Sequence, residues 1–175
     1  MRFKDKVVIV TGSSRGIGRA TAIAFGKEGA RVIVNYVKDK TSADSAVEEI
    51  KKLGGDAFAI QADVSVEADV KRMIDESAKH FGGIDILVNN AGIVFDIPIL
   101  EKTLEQWEQT LHVNLIGPFL CIKYAVPHMK NRTGAAILNI SSTNGIDSLD
   151  PSAADYDASK SGVISLTKNF AQALA

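Results

Sequence analysis

Short aliphatic runs recur along the whole chain, each followed by a longer stretch of helical period, and this alternation constrains the fold more than any other feature. The runs are Val7–Val10, Arg31–Tyr36 and residues 57–61, 84–88 and 135–140. They read as continuous apolar segments rather than alternating ones, as strands buried on both faces do. Helices wound between such strands give an α/β fold with a doubly wound parallel sheet. The apolar spacing predicts helices over 17–28, stopped by Gly29, and over the segment carrying Ala43, Val47 and Ile50, stopped at Gly54-Gly55. A third is predicted over 66–81 with Ser65 as its cap, and a long one over about 104–129, opened by a Thr103/Gln106 capping box. The last begins near Tyr156. No linker or repeat divides the chain, so residues 1–175 read as a single domain.

Composition narrows the partners. With 20 basic against 21 acidic side chains, nothing draws the chain to nucleic acid or an anionic membrane. No run approaches the roughly 20 apolar residues of a membrane span. Cys121 is the only cysteine, which rules out an internal disulfide, and no signal peptide precedes the first strand; a cytoplasmic protein is expected. His80, His112 and His128 lack metal-ligand spacing, so no metal site is expected.

Between the first strand and first helix lies Thr11-Gly12-Ser13-Ser14-Arg15-Gly16-Ile17-Gly18. A strand turning sharply into a helix needs backbone angles that other residues resist. A diphosphate must also approach the N–H groups at the helix N-terminus, where the dipole favours an anion. A glycine-rich turn without a ligand is the bland alternative, and three glycines in a strand–turn–helix setting weigh against it.

That turn resembles the signature of the short-chain dehydrogenase/reductase family. Other motifs follow in the family's order: Asn89-Asn90-Ala91-Gly92 after the fourth strand, Asn114 within the long helix, Ser142 after the fifth strand, and Tyr156-x-x-x-Lys160 in the last helix. The resemblance spans nearly the whole chain. It implies a Rossmann-type dinucleotide fold and an oxidoreductase that moves a hydride between a nicotinamide cofactor and a carbonyl/alcohol pair. It further implies that Asp63 and Val64 contact adenine, and that Asn90, Ala91 and Gly92 line its ribose and the sheet end. Gly12, Ser14, Arg15, Gly16, Ile17 and Gly18 would cradle the phosphates.

Tyr156 and Lys160 lie four apart and project from one helix face. A free tyrosine, with a pKa of about 10, is a poor acid–base at neutral pH, and an ammonium beside it favours the phenolate. By resemblance Tyr156 exchanges a proton with the substrate oxygen and Ser142 orients that oxygen. Lys160 also holds the nicotinamide ribose, and Asn114 anchors a water linking Lys160 to solvent. Ser142 precedes Tyr156 by fourteen residues, one more than the family often has, which leaves Ser141 and Thr143 as alternatives.

In such sheets an acid closing the second strand binds the adenosine ribose of NAD, while a basic residue accommodates the extra phosphate of NADP. Tyr36 occupies the acid's position, with Arg15 and Lys38 nearby and Asp39 three positions late. NADP(H) is therefore expected, with NAD(H) as the alternative. The loop over 143–155 carries Asp147, Asp150 and Asp155, read as an acidic mouth suited to neutral substrates. The chain looks like bacterial 3-oxoacyl-acyl-carrier-protein reductases and glucose dehydrogenases, implying a 3-oxoacyl thioester or a sugar or polyol as the small-molecule substrate. A catalytically silent dinucleotide-binding protein, or an inactive fragment of such an enzyme, is the competing expectation. Family members run longer than 175 residues, so the substrate lid and a homodimer or homotetramer belong to a complete protein extending past the sixth helix.

Overall fold

A computed structural model of the chain describes residues 1–148 and 151–175. The strands β1 (Val7–Val10), β2 (Arg31–Tyr36), β3 (Asp56–Gln61), β4 (Ile86–Asn89) and β5 (Ala136–Asn139) form one parallel sheet in the order β3-β2-β1-β4-β5. Helices α1 (Gly16–Lys27) and α2 (Lys40–Lys52) cover one face, while α3 (Glu67–Phe81) and α5 (Gly117–Met129) cover the other. Completing the set are α4 (Leu104–Leu111) and α6 (Ala154–Ala173). The sheet is doubly wound, as its sequence pattern predicts.

Burial explains why the strands read as unbroken apolar runs. Val7 and Ile9 of β1 pack toward α3 and α5, and Val8 and Val10 pack toward α1 and α2. All four are fully buried. Each such side chain contributes about 1.5–3 kcal/mol by leaving water. The strand order reverses at β1: the chain first steps outward to β2 and β3, then returns to β1's other side as β4. A crevice opens at the carboxyl ends of the strands at such a reversal, and ligands bind there in sheets of this kind. At the far edge β5 is only half covered, beside an apolar groove of about 520 Å³ lined by Ile122, Val126, Ile137 and Phe170 among others. None of the predicted site residues lines that groove.

One local expectation needs correction, and one helix carries a feature its sequence did not announce. Ser65 does not cap α3: its N–H and hydroxyl both donate to Asp63 Oδ1, at 2.9 and 2.6 Å, forming a tight turn one step earlier. The long helix does run over 104–129, with one irregularity in it. The Thr103/Gln106 capping box opens α4 as expected, but a π-helical turn, His112–Ile116, separates α4 from α5.

At the amino end of the strands, buried Asp85 accepts from both Arg132 Nε (3.1 Å) and Nη2 (2.7 Å), and from the Val7 N–H (2.9 Å). Burial works to raise the Asp85 pKa, but these bonds and the Arg132 and Lys6 charges outweigh it and hold the carboxyl below its usual value of 3.8. Because the folded value is depressed, the stabilisation is present above about pH 4 and is lost as pH falls through the folded pKa. Asp85→Asn is expected to cost about 2–3 kcal/mol in urea unfolding at neutral pH, less than a fully buried pair because Arg132 and Lys6 stay partly solvated. The difference between variant and parent should shrink below pH 4. An equal gap at all pH values would show that charge at Asp85 is not what matters.

Candidate active site

The turn after β1 is held from three sides. Thr11 Oγ1 accepts the N–H groups of Asn90 and Ala91, both at 3.0 Å. Asn90 Nδ2 returns bonds to the carbonyls of Thr11 (2.9 Å) and Gly12 (3.2 Å). From β2, the buried Asn35 accepts the Gly12 N–H at Oδ1 and the Ser13 N–H at its carbonyl, both at 2.9 Å, and donates to the Ala62 carbonyl at 2.9 Å. The ends of β1, β2, β3 and β4 are thus one hydrogen-bonded unit. The sequence carried a signal for Asn35: an amide inside an aliphatic strand must find buried partners.

Gly12 has φ +62°, and a Cβ there would lie 3.0 Å from the Ala91 Cα. Gly16 also has positive φ, +57°, but faces open space. No side chain caps α1 and no acid lies in its first turn. The N–H groups of that turn are therefore open to an anion, beside the half-buried Ser14 and the exposed Arg15 and Ile17. This cradle fits a dinucleotide's phosphates.

Tyr36 closes β2 with its ring packed into the core between sheet, α1 and α2, 8 % exposed. Asp39, the acid just beyond, is fully engaged as the N-cap of α2: Oδ1 accepts the Ser42 N–H and Oδ2 the Ser42 hydroxyl. Those two bonds, aided by the charge of Arg15, hold the Asp39 carboxyl below its usual value. Lys38 is exposed on the same loop. Asp63 is committed to its own turn through Oδ1, and Val64 beside it is buried against Gly117.

At the other end of the crevice, Lys160 is 4 % exposed with Nζ donating to the Ile140 carbonyl at 2.8 Å and lying 5.5 Å from the centre of the Tyr156 ring. An ammonium has three donors, so two remain to meet a pair of ribose hydroxyls. Burial lowers the Lys160 pKa below its usual 10.5. The folded protein therefore releases this proton before the unfolded chain does, and stability rises with pH between the lowered value and 10.5. Gly92 abuts both Lys160 and Asn114: a Cβ on it would lie 3.6 Å from Lys160 Nζ and 3.4 Å from Asn114 Oδ1.

Asn114 sits fully buried in the π turn, its side chain bonded both ways to the Ile93 backbone at 2.8 Å. Four residues on stands Pro118, which has no N–H, so the Asn114 carbonyl lacks its α-helical donor. The loop after β5 is laced to α6: Ser141 Oγ donates to the Lys160 carbonyl (2.9 Å), Asn144 to Asp157 (2.9 Å) and Ser161 to the Gly145 carbonyl (2.8 Å). The Ser141 hydroxyl is thereby spent, while among the described residues Ser142 Oγ accepts the Asn144 N–H (3.2 Å) and has no acceptor for its own hydrogen. Thr143 is exposed. Of the three hydroxyls, Ser142 remains the one suited to orient a substrate oxygen.

The acidic mouth needs revision. Asp147 is exposed as expected, and Asp150 lies outside the described residues. Asp155, however, is wholly buried and ion-paired to Lys102. Acids in a helix's first turn are ordinarily solvent-facing; here a lysine from another loop supplies a buried partner that its sequence position does not announce.

Comparison with known proteins agrees with this architecture. A family model described as short chain dehydrogenase matches residues 6–175. The 3-oxoacyl-acyl-carrier-protein reductase FabG of Staphylococcus aureus (strain Mu50) is 46 % identical over 170 residues, covering 97 % of this chain and 69 % of that protein. The 3beta-hydroxysteroid dehydrogenase 1 of Eggerthella lenta is 44 % identical over 170 residues, covering 97 % of this chain and 65 % of its own length. Among solved structures, a dehydrogenase/reductase from Sinorhizobium meliloti 1021 superposes with a TM-score of 0.94 at 37 % identity, covering 98 % of this chain and 67 % of that one. With a glycine turn and an uncapped helix start at one end of its crevice and Tyr156 beside a buried Lys160 at the other, the chain belongs to the short-chain dehydrogenase family, enzymes that oxidise CH–OH groups or reduce the corresponding carbonyls.

Proposed function

We propose that this protein is an NADP(H)-dependent oxidoreductase that interconverts a carbonyl and a secondary alcohol through Ser142, Tyr156, Lys160 and Asn114. The observation that carries the proposal is the buried Lys160 ammonium, fixed on the Ile140 carbonyl beside the Tyr156 ring. The cofactor, when bound, supplies or accepts the hydride. Tyr156 gives its hydroxyl proton to the substrate oxygen in reduction and takes one back in oxidation. Ser142 donates a hydrogen bond to the same oxygen and fixes its direction. Lys160 favours the phenolate by its charge and holds the ribose with its remaining donors. Asn114, fully buried and bonded to the Ile93 backbone beside Gly92 and Lys160, would hold a water that reconnects Lys160 to solvent.

NADP(H) is favoured over NAD(H) because no carboxylate is free at the end of β2: Tyr36 replaces it, and Asp39 is spent on capping. Arg15 is free to meet the additional phosphate. Arg15→Ala is expected to weaken NADPH by about 1–3 kcal/mol, the scale of a charge-assisted contact, and to leave NADH nearly unchanged. Fluorescence titration of both cofactors checks this, and equal losses would remove Arg15 from phosphate recognition.

A 3-oxoacyl thioester is the substrate class favoured by the reductase relatives at 44–46 % identity. A hydroxysteroid is the second reading, motivated by the Eggerthella lenta relative. Acetoacetyl thioesters, 3-oxo esters, sugars and steroids, assayed with NADPH and NADP⁺ at the nicotinamide absorbance, separate these. Cofactor binding without turnover on any of them would favour a silent binding protein. The half-exposed Ile116 and Phe119, beside the groove between α5 and α6, offer an apolar face for a second copy, in keeping with a homodimer or homotetramer.

A further inference from the structure

Lys102 and Asp155 form an ion pair shut away from water, their side chains 1 % and 0 % exposed. Two charges taken out of water carry a large desolvation cost, recovered only when every donor and acceptor is matched. Here they are matched. Lys102 Nζ donates to the carbonyls of Phe95 (2.9 Å) and Ser152 (2.7 Å) and to Asp155 Oδ1, using all three hydrogens. Asp155 Oδ2 accepts the Thr110 hydroxyl at 2.6 Å. A second tie, Ser152 Oγ to Asp96 Oδ1 at 2.7 Å, joins the same two loops.

The pair therefore connects three separate pieces: the loop after β4 that carries Ile93 and Phe95, α4 through Thr110, and the first turn of α6. That first turn is in need of support. Its N-cap, Ala153, offers no side-chain acceptor, and an uncapped first turn frays. Tyr156 lies in it, one residue after Asp155. We propose that Lys102 and Asp155 are positioning residues for the reaction at Tyr156, the pair pinning the first turn of α6 to the loop after β4 so that the hydroxyl and the two walls of the substrate cleft keep one relative placement. The proposal rests on Tyr156 as the proton donor. It assigns the pair no part in cofactor binding, which depends on the glycine turn at the other end of the crevice.

The test uses the double variant Lys102→Met/Asp155→Leu, which removes both charges together and leaves neither one buried alone. Thr110→Val is the milder companion, deleting only the hydroxyl bond to Asp155. Melting temperature, NADPH affinity, and kcat and KM with NADPH and ethyl acetoacetate are measured in the whole protein. The double variant is expected to melt near the parent and bind NADPH within about twofold, while kcat falls roughly 10–100-fold, the scale for a reacting group displaced by about an ångström. Thr110→Val is expected to lower kcat several-fold with the melting temperature and NADPH affinity held. Parental kcat in both variants would make the pair purely structural, and a matching loss of NADPH affinity would mean that the whole sheet end had moved; either overturns the proposal. Tyr156→Phe measured alongside separates the two claims. If that variant is inactive while the others are fully active, only the positioning role falls; if it is fully active, the assignment of Tyr156 falls first.

Discussion

Tyr156→Phe is expected to lower kcat by about 10²–10⁴-fold, the contribution of a positioned acid–base, while the protein folds and binds NADPH as before. The substitution keeps the ring. Lys160 Nζ lies 5.5 Å from that ring's centre and is anchored independently on the Ile140 carbonyl, so removing the hydroxyl leaves the ammonium where it is. The first turn of α6 is likewise held by Asp155 and not by the phenol. Cofactor titration and circular dichroism should therefore match the parent, and the whole loss should appear in turnover. Because the proton moves as the hydride does, kcat and kcat/KM should fall together. A variant keeping more than about a tenth of parental kcat would show that the proton comes from another group.

The second large effect is expected at Gly18. A Cβ there would lie 2.4 Å from Asn90 Nδ2 and 2.5 Å from the Gly12 carbonyl oxygen. Asn90 could swing aside only by giving up its bonds to Thr11 and Gly12. The Gly12 oxygen is backbone, in a turn also tied to Asn35, and cannot retreat alone. Gly18→Ala must therefore prise α1 away from the strand ends. Crowding of this kind costs about 1–3 kcal/mol in folding stability, which a cooperative domain tolerates. The phosphate cradle does not. Both NADPH and NADH are expected to bind about 10²-fold more weakly, or ~3 kcal/mol, in contrast to Arg15→Ala, which discriminates between them. Affinities within threefold of the parent would mean that the turn absorbs the methyl group and that the close approach of Gly18 is not required.

The parts of the fold visible in the sequence were those set by local rules. Val7–Val10 and Arg31–Tyr36 fall where the apolar runs put them, and the Thr103/Gln106 box opens a helix because its two hydrogen bonds span only three residues. The departures have other causes, one of them local and the rest dependent on partners distant in the chain. Ser65 is held away from the helix end because its N–H and hydroxyl both donate to Asp63 Oδ1, two residues earlier. Asp155 reads as a solvent-facing acid until Lys102, 53 positions away, is placed against it. Asn35 shows only as a polar interruption in a strand, and its work for the glycine turn emerges once β1, β2 and β3 lie side by side. At the candidate site, family resemblance is what singled out Tyr156, Lys160, Ser142 and Asn114 as candidates. The sequence favoured Ser142 and kept Ser141 as a weaker alternative; what it could not show is that the Ser141 hydroxyl is bonded to the Lys160 carbonyl.

The π turn His112–Ile116 has a consequence for how this chain tolerates changes of length. A π turn holds one residue more than the α-helical turn it replaces, and one residue is about 100° of helix rotation. The insertion lets α4 aim Thr110 at Asp155 while α5, in a different angular phase, aims Leu120, Cys121 and Ala125 into the core under the sheet. Regularising the helix by deleting a single residue would swing one of these faces by more than a quarter turn. Asn114 lies at the hinge between the two phases, so the same turn that places its side chain against Ile93 also keeps the site wall and the core in step. Along this stretch the residue count is itself under constraint, independently of which side chains fill it.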